Sequence, residues 1–135
     1  MIEDFLKYQA KTTPSPMGLE IANASGNYLY DVDGKSYLDF VAGVSACPLG
    51  HSHPKIIKAI QDQTNKYMHV MVYGEFAQAP AVKLCKKLVQ LLPENQEVVY
   101  LTNSGTEAIE GALKLAKRVT QRSGLIAAYQ SYHGS

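Results

Sequence analysis

Thr102-Asn103-Ser104-Gly105-Thr106-Glu107-Ala108 constrains the fold more than any other stretch of the chain. It joins the apolar run Val98-Val99-Tyr100-Leu101 to a long amphipathic segment that begins at Gly105. Four β-favouring residues, a Ser/Gly/Thr turn and then helical periodicity read as strand, turn, helix. The first N–H groups of such a helix have no partner inside it, and the helix dipole adds partial positive charge there. A phosphate fits that place. Gly105 lets an anion approach the backbone, and the Ser104 and Thr106 hydroxyls can donate further hydrogen bonds. The same residues spell a capping box, Ser104-x-x-Glu107, which needs no ligand. The two readings are compatible, so the choice falls to the rest of the chain.

At 135 residues the chain has the length of one ordinary domain. Its 46% hydrophobic and 19% charged residues are globular rather than disordered composition. A formal charge of +1 gives no electrostatic reason to expect nucleic acid or an anionic membrane as partner. Apolar runs are only a few residues long, so no bilayer span is expected. Met1-Ile2-Glu3-Asp4-Phe5 carries acids where a signal peptide carries bases, which predicts a cytoplasmic protein. Cys47 and Cys85 form no disulfide or zinc pattern and read as two reduced thiols.

Residues 2–11 read as a short helix, ended by Thr12-Thr13-Pro14-Ser15-Pro16. Leu19-Glu20-Ile21-Ala22 and Tyr28-Leu29-Tyr30 are short strand candidates. Asp31-Val32-Asp33-Gly34-Lys35 predicts a tight hairpin, because Asp-Gly supplies positive φ, and Ser36-Tyr37-Leu38-Asp39-Phe40 reads as the returning strand. An EF-hand is excluded, since Gly34 comes too early and no Glu falls at the twelfth position. Residues 41–53 form a mixed loop. His51-Ser52-His53 lacks nearby carboxylate or Cys at ligand spacing, so no metal is expected, and His53-Pro54 reads as a helix entrance. That helix is predicted to run to about His69, with Ile56, Ile57, Ile60, Thr64, Tyr67 and Met68 on one side. A further helix starts near Pro80, has a wide apolar face from Val82 to Leu92, and stops at Pro93. The 98–102 strand, a helix from 105 to about 122 that leaves at Gly124, and the strand Leu125-Ile126-Ala127-Ala128-Tyr129 compose one β-α-β unit, expected parallel and right-handed. Gly111 inside the helix costs stability and suggests close packing against a neighbouring backbone. Ligands in open α/β sheets bind past the carboxyl ends of the strands. Tyr132 and His133 are thereby expected beside the helix start that could hold phosphate.

Four segments in this order and spacing resemble a class III, pyridoxal-phosphate-dependent aminotransferase of the acetylornithine, ornithine and 4-aminobutyrate group. They are Tyr28 to Phe40, Leu49-Gly50-His51-Ser52-His53-Pro54, Asn103 to Glu110 with Lys114-Leu115-Ala116-Lys117, and Ser131-Tyr132-His133-Gly134-Ser135. The resemblance implies an α/β fold, the N-terminal part of the pyridoxal-phosphate-dependent transferase fold type I, which is aspartate-aminotransferase-like. It would comprise an N-terminal hairpin segment and the start of the mostly parallel large-domain sheet. Residues 1–69 would be the N-terminal segment, with part of the small domain and a linking helix, and 70–135 the beginning of the large cofactor-binding domain. Ser104, Gly105 and Thr106 match the turn that holds the 5′-phosphate of pyridoxal 5′-phosphate. Tyr132 matches the aromatic stacked on the pyridine ring, and His133 the residue packed beside it. Val44 and Ser45 fall where the family's N-terminal loop approaches the substrate.

The resemblance also implies what lies elsewhere. The Schiff-base lysine and the aspartate that pairs with the pyridinium nitrogen lie beyond Ser135 in the family. None of the 11 lysines here holds the Schiff-base position, so no catalytic residue is assigned and residues 1–135 alone are expected to be inactive. The parent enzyme would move an amino group from an ornithine-type or ω-amino donor to a 2-oxo acid acceptor, 2-oxoglutarate, as a homodimer. Two alternatives stand beside this: an aminomutase or racemase of the same family, and a non-catalytic truncated homologue that only associates with a partner subunit.

Overall fold

Short runs carrying Ile21, Tyr28, Leu29, Tyr30, Tyr37 and Leu38 around two turn signals build a meander near the start of the chain. A computed structural model of the protein describes residues 1–71 and 73–132. It contains two compact units, Met1–Val72 and Tyr73–Ser135. In the first unit, strands β1 (Ile21–Ser25), β2 (Tyr28–Asp31) and β3 (Ser36–Leu38) form an antiparallel sheet in the order β1-β2-β3. Ser25 pairs with Tyr28 across a two-residue turn, with Gly26 first at φ +56°. The register slips between Ile21 and Asn23, a bulge near the strand start.

The second turn differs from the expected tight Asp-Gly hairpin. Four residues, Val32 to Lys35, join β2 to β3, and only Gly34 has positive φ, at +82°. A side chain closes this turn. Asp31 Oδ1 accepts from the N–H groups of Asp33 (3.0 Å) and Lys35 (2.8 Å), and Oδ2 accepts from the Tyr37 hydroxyl (2.8 Å). Those bonds hold the Asp31 carboxyl below its ordinary pKa, the Tyr37 hydroxyl contributing most.

Helix α1 (Ile2–Tyr8) stops short of the expected 11, because Gln9 turns to extended backbone. After the sheet comes one helical turn, α2 (Ala42–Ser45), then helix α3 (Pro54–Thr64). Pro54 opens α3 as its sequence predicts. The helix ends before His69, because the Gln63 side-chain amide donates to the Tyr67 carbonyl (3.0 Å) and closes the last turn.

The second unit contains helices α4 (Ala79–Val89) and α5 (Gly105–Thr120). Here the expected parallel β-α-β unit is present as its helix only. Segments 98–102 and 125–129 join no sheet among the described residues. A strand exists through hydrogen bonds to a neighbour, and consecutive strands of a parallel sheet need not lie side by side. Helix α5 also leaves three residues before Gly124: Gln121 adopts the left-handed cap at φ +57°, and its N–H reaches the Lys117 carbonyl. A Cβ built on Gly111 would meet nothing within 4 Å, so the close backbone neighbour expected there is absent among the described residues.

No described residue as a whole is buried. The apolar stripes read from the sequence exist on the helices but are uncovered: Ile60 is 58% exposed, Val82 54% and Leu115 62%. On α4, Cys85, Leu88 and Val89 are half-buried, and the Cys85 thiol lies 4.0 Å from the Val99 carbonyl.

Candidate functional site

Ser104 stands at the N-cap of α5 in extended backbone, φ −151° and ψ 161°, and its Oγ accepts from Glu107 N–H (3.1 Å). That is one half of the capping box. The other half is shifted by one residue: Glu107 Oε2 accepts from the Asn103 N–H (2.7 Å), not from that of Ser104. The Thr102 hydroxyl donates to the Ser104 carbonyl (3.1 Å), which fixes the approach of the chain. Ser104, Gly105 and Thr106 therefore stand together on the first turn of a 16-residue helix, with the partial positive charge of its dipole. A Cβ built on Gly105 would meet nothing within 4 Å, so the space over that residue is open. Backbone donors, hydroxyls and open space fit a phosphate group. The capping reading and the anion reading thus share one turn, the Ser104 side chain being engaged in the cap.

The loop carrying Val44 and Ser45 is the most strained backbone among the described residues. Ala42, Gly43, Val44 and Ser45 all have positive φ, at +48°, +61°, +55° and +66°. Turn α2 is left-handed. For residues with a Cβ this costs roughly 1–2 kcal/mol each, and for a β-branched residue such as Val44 it is a marked outlier. Strain of this kind persists only where the surroundings over-determine it. The Asp39 carboxylate supplies much of that determination. Its Oδ1 accepts from the N–H groups of Val41 (2.8 Å) and Ala42 (3.0 Å), and its Oδ2 pairs with His51 Nε2 at 2.6 Å. The Asp39 side chain is only 6% exposed and that of His51 17%. The His51 bond first, and then the Ala42 and Val41 N–H groups, hold the Asp39 carboxyl below its ordinary pKa.

The hairpin anchors the far end of this loop. Gly26 and His51 exchange backbone hydrogen bonds at 3.0 and 2.7 Å, and the Ser52 hydroxyl donates to the Ala24 carbonyl at 2.7 Å. Gly50 is required twice over: its φ is +81°, and a Cβ there would stand 3.0 Å from the Gly26 carbonyl oxygen. The Asp39–His51 pair is not read from the sequence, where His51 is considered as a metal candidate and as part of the Leu49–Pro54 segment. An available signal was Asp39 placed two and three residues before two backbone donors, the spacing of an Asx turn.

The remaining expected site residues lie elsewhere. Tyr132 follows a turn at Tyr129–Gln130 and is 84% exposed; the parallel pairing that was to carry it to the start of α5 is not formed. His133 lies outside the described residues. Val44 and Ser45 belong to the first unit, and Ser104, Gly105, Thr106 and Tyr132 to the second. Among the described residues no three His, Cys, Asp or Glu side chains converge to hold a metal ion. No helix there is long and apolar enough to cross a membrane.

Comparison with known proteins places these features in a family. An acetylornithine aminotransferase of Bifidobacterium longum is 47% identical over 97 residues, covering 70% of this chain and 22% of the relative. An isoleucine 2-epimerase of Lentilactobacillus buchneri is 36% identical over 137 aligned positions, covering 100% of this chain and 30% of the relative. The crystal structure of an adenosylmethionine-8-amino-7-oxononanoate aminotransferase from Methanocaldococcus jannaschii superposes with a TM-score of 0.85 at 31% identity. It covers 98% of this chain and 33% of that one. An S-selective transaminase from Arthrobacter superposes with a TM-score of 0.87 at 25% identity. The chain thus spans about a third or less of the length of the relatives it matches. Its α/β fold is the N-terminal part of the pyridoxal-phosphate-dependent transferase fold type I. Residues 8–135 match the family model described as aminotransferase class-III, and the chain belongs to that family.

Proposed function

We propose that residues 1–135 contribute the phosphate-holding turn and a substrate-side loop to a pyridoxal-phosphate-dependent aminotransferase. The observation that carries this is the Ser104-Gly105-Thr106 turn at the start of α5, with open space over Gly105. In this reading the Gly105 and Thr106 N–H groups and the Ser104 and Thr106 hydroxyls hold the cofactor's phosphate, and Tyr132 stacks on its ring with His133 packed beside it. Glu107 keeps the turn in shape through Asn103 and stays outside the chemistry. Bound there, the cofactor supplies an electron sink for amino-group transfer. The lysine that would hold it covalently belongs to another part of the protein, so this chain alone binds without turning over. Residues 1–69 serve the small domain and 70–135 the cofactor-binding domain, in a cytoplasmic homodimer.

The names of the relatives favour an ornithine-type or ω-amino donor, and the acceptor proposed with it is 2-oxoglutarate. They include acetylornithine aminotransferases and a 5-aminovalerate aminotransferase from Pseudomonas putida, the latter 32% identical over 98% of this chain. A racemase reading is the alternative, favoured by the epimerase that aligns with the entire chain. In the whole protein, conversion of the donor's terminal amine to an aldehyde as 2-oxoglutarate becomes glutamate favours the first reading, and inversion of one amino-acid enantiomer without acceptor favours the second.

The direct experiment is a pyridoxal-phosphate titration of the 135-residue chain, followed by absorbance with and without borohydride reduction. The expected result is reversible binding that dialyses away and leaves no specific reduced lysine adduct. A stoichiometric adduct at one of its lysines would overturn the assignment of the covalent step to another part of the protein. No binding at any concentration would remove the phosphate role of Ser104, Gly105 and Thr106.

A further inference from the structure

We infer that Asp39, braced by His51, is the positioning residue for the substrate-side turn: it imposes the left-handed backbone that presents Val44 and Ser45. The inference rests on the aminotransferase reading for the word substrate, and on geometry alone for the rest. Four consecutive residues of positive φ, three of them with a Cβ, do not arise from local preference. Something must define the turn, and three bonds inside it contribute: Ser45 N–H to the Val41 carbonyl (3.1 Å), Ala46 N–H to that of Gly43 (3.4 Å) and Cys47 N–H to that of Ala42 (2.9 Å). Two of them end on the carbonyls of the two residues that open the turn. Those residues, Val41 and Ala42, are pinned through their own N–H groups by the single oxygen Oδ1 of Asp39.

Asp39 is itself fixed at both ends. Its backbone N–H donates to the Asn27 carbonyl of the hairpin (2.8 Å), and its Oδ2 meets His51, whose backbone is bonded to Gly26. One carboxylate thus connects the sheet to a strained turn that begins three residues on. Among the described residues the titratable side chain bonded to it is His51. His51 comes from the segment tied to the hairpin, and Cys47 lies beside Gly43 on the far side of the turn, its Sγ 3.5 Å from where a Gly43 Cβ would stand. The role is one of orientation. The effect of Asp39 on Val44 and Ser45 passes through the Val41 and Ala42 amides.

The test uses the 135-residue chain and its Asp39→Asn, Asp39→Ala and His51→Gln variants. Two readouts are taken: exchange protection of the Val41 and Ala42 amides, and the backbone couplings that report positive φ at Val44 and Ser45. Asp39→Ala should lower protection at both amides by about tenfold or more and abolish the positive-φ signature. Asp39→Asn keeps an oxygen acceptor in the same place and should restore both. His51→Gln, which retains a donor toward Oδ2, should do the same. In the wild type, protection should fall as Asp39 is protonated on acidification, at a pH where the hairpin amides of Tyr28–Asp31 are still protected; Asp39→Asn should show no such fall. The last comparison decides the matter even if Asp39→Ala fails to fold. An Asp39→Ala chain with an unchanged turn, or an Asp39→Asn chain that loses protection at the same pH as wild type, overturns the inference. Failure of the aminotransferase reading is separate: it shows as no pyridoxal-phosphate binding by the wild-type chain, whatever the Asp39 variants do.

Discussion

The hairpin with its 39–53 loop and the α5 segment with its flanks are of similar length, and they satisfy their backbones in opposite ways. In the first, every strand finds its neighbour within a dozen residues, and the turns are closed by carboxylates, Asp31 on one side and Asp39 on the other. In the second, only the helix is self-sufficient. Ser104 caps one end, Gln121 closes the other, and the apolar runs beside it stand exposed, Val98 at 88% and Ile126 at 103%. The difference lies in where partners come from. An antiparallel meander takes its hydrogen bonds from adjacent sequence, whereas a parallel strand depends on a neighbour brought by a long crossover. The short-range region can therefore be specified by its own residues, while the flanks of α5 find no strand partner among the described residues.

The largest expected effect contrasts the two directly. Amides of Tyr28–Asp31 and Ser36–Leu38 should exchange orders of magnitude more slowly than those of 98–102 and 125–129, which should exchange near the unprotected rate. Comparable protection in both would erase the distinction. Carried to lower pH, the same measurement reads Asp31. Its folded pKa lies below the ordinary value near 3.8, so the unfolded chain takes up its proton first as pH falls. Its contribution is complete above that ordinary value and lost as pH drops through the folded one, so the Asp33 and Lys35 amides should open only below about pH 4. Opening at neutral pH would contradict the Asp31 clip.

Next in size is Gly50→Ala, which forces a side chain to positive φ and into the Gly26 carbonyl. Loss of about 1–3 kcal/mol from the first unit is expected in urea titration, with the α5 helical signal untouched. Smallest is Ser104→Ala, which removes the cap bond to Glu107 N–H. It should reduce α5 stability by about 1 kcal/mol, seen as lower helicity of 105–120, and leave the hairpin amides as they were. An Ser104→Ala chain of unchanged helicity would show that the cap is idle.

Much of this was legible beforehand because it is local. Tyr28-Leu29-Tyr30 and Ser36-Tyr37-Leu38 form strands where alternation placed them, Pro54 opens a helix, and Ser104-x-x-Glu107 caps one. Helix ends were less legible. Gln63 and Gln121 close α3 and α5 through bonds that propensity does not encode, so Gly124 was a false stop. Glu107 reaches Asn103 instead of Ser104, a shift of one residue that no motif distinguishes.

Residue order alone determined the hairpin strands, the starts of α3 and α5 and the capped turn at Ser104, because periodicity, capping and turn chemistry act over a few residues. Only the three-dimensional structure decided that Asp39 and His51, twelve residues apart, meet at 2.6 Å and hold four residues in left-handed backbone. It also decided that 98–102 and 125–129 do not become strands on apolar composition alone. Both outcomes have the same physical reason: a strained turn and a parallel strand each exist through partners that local preference cannot supply.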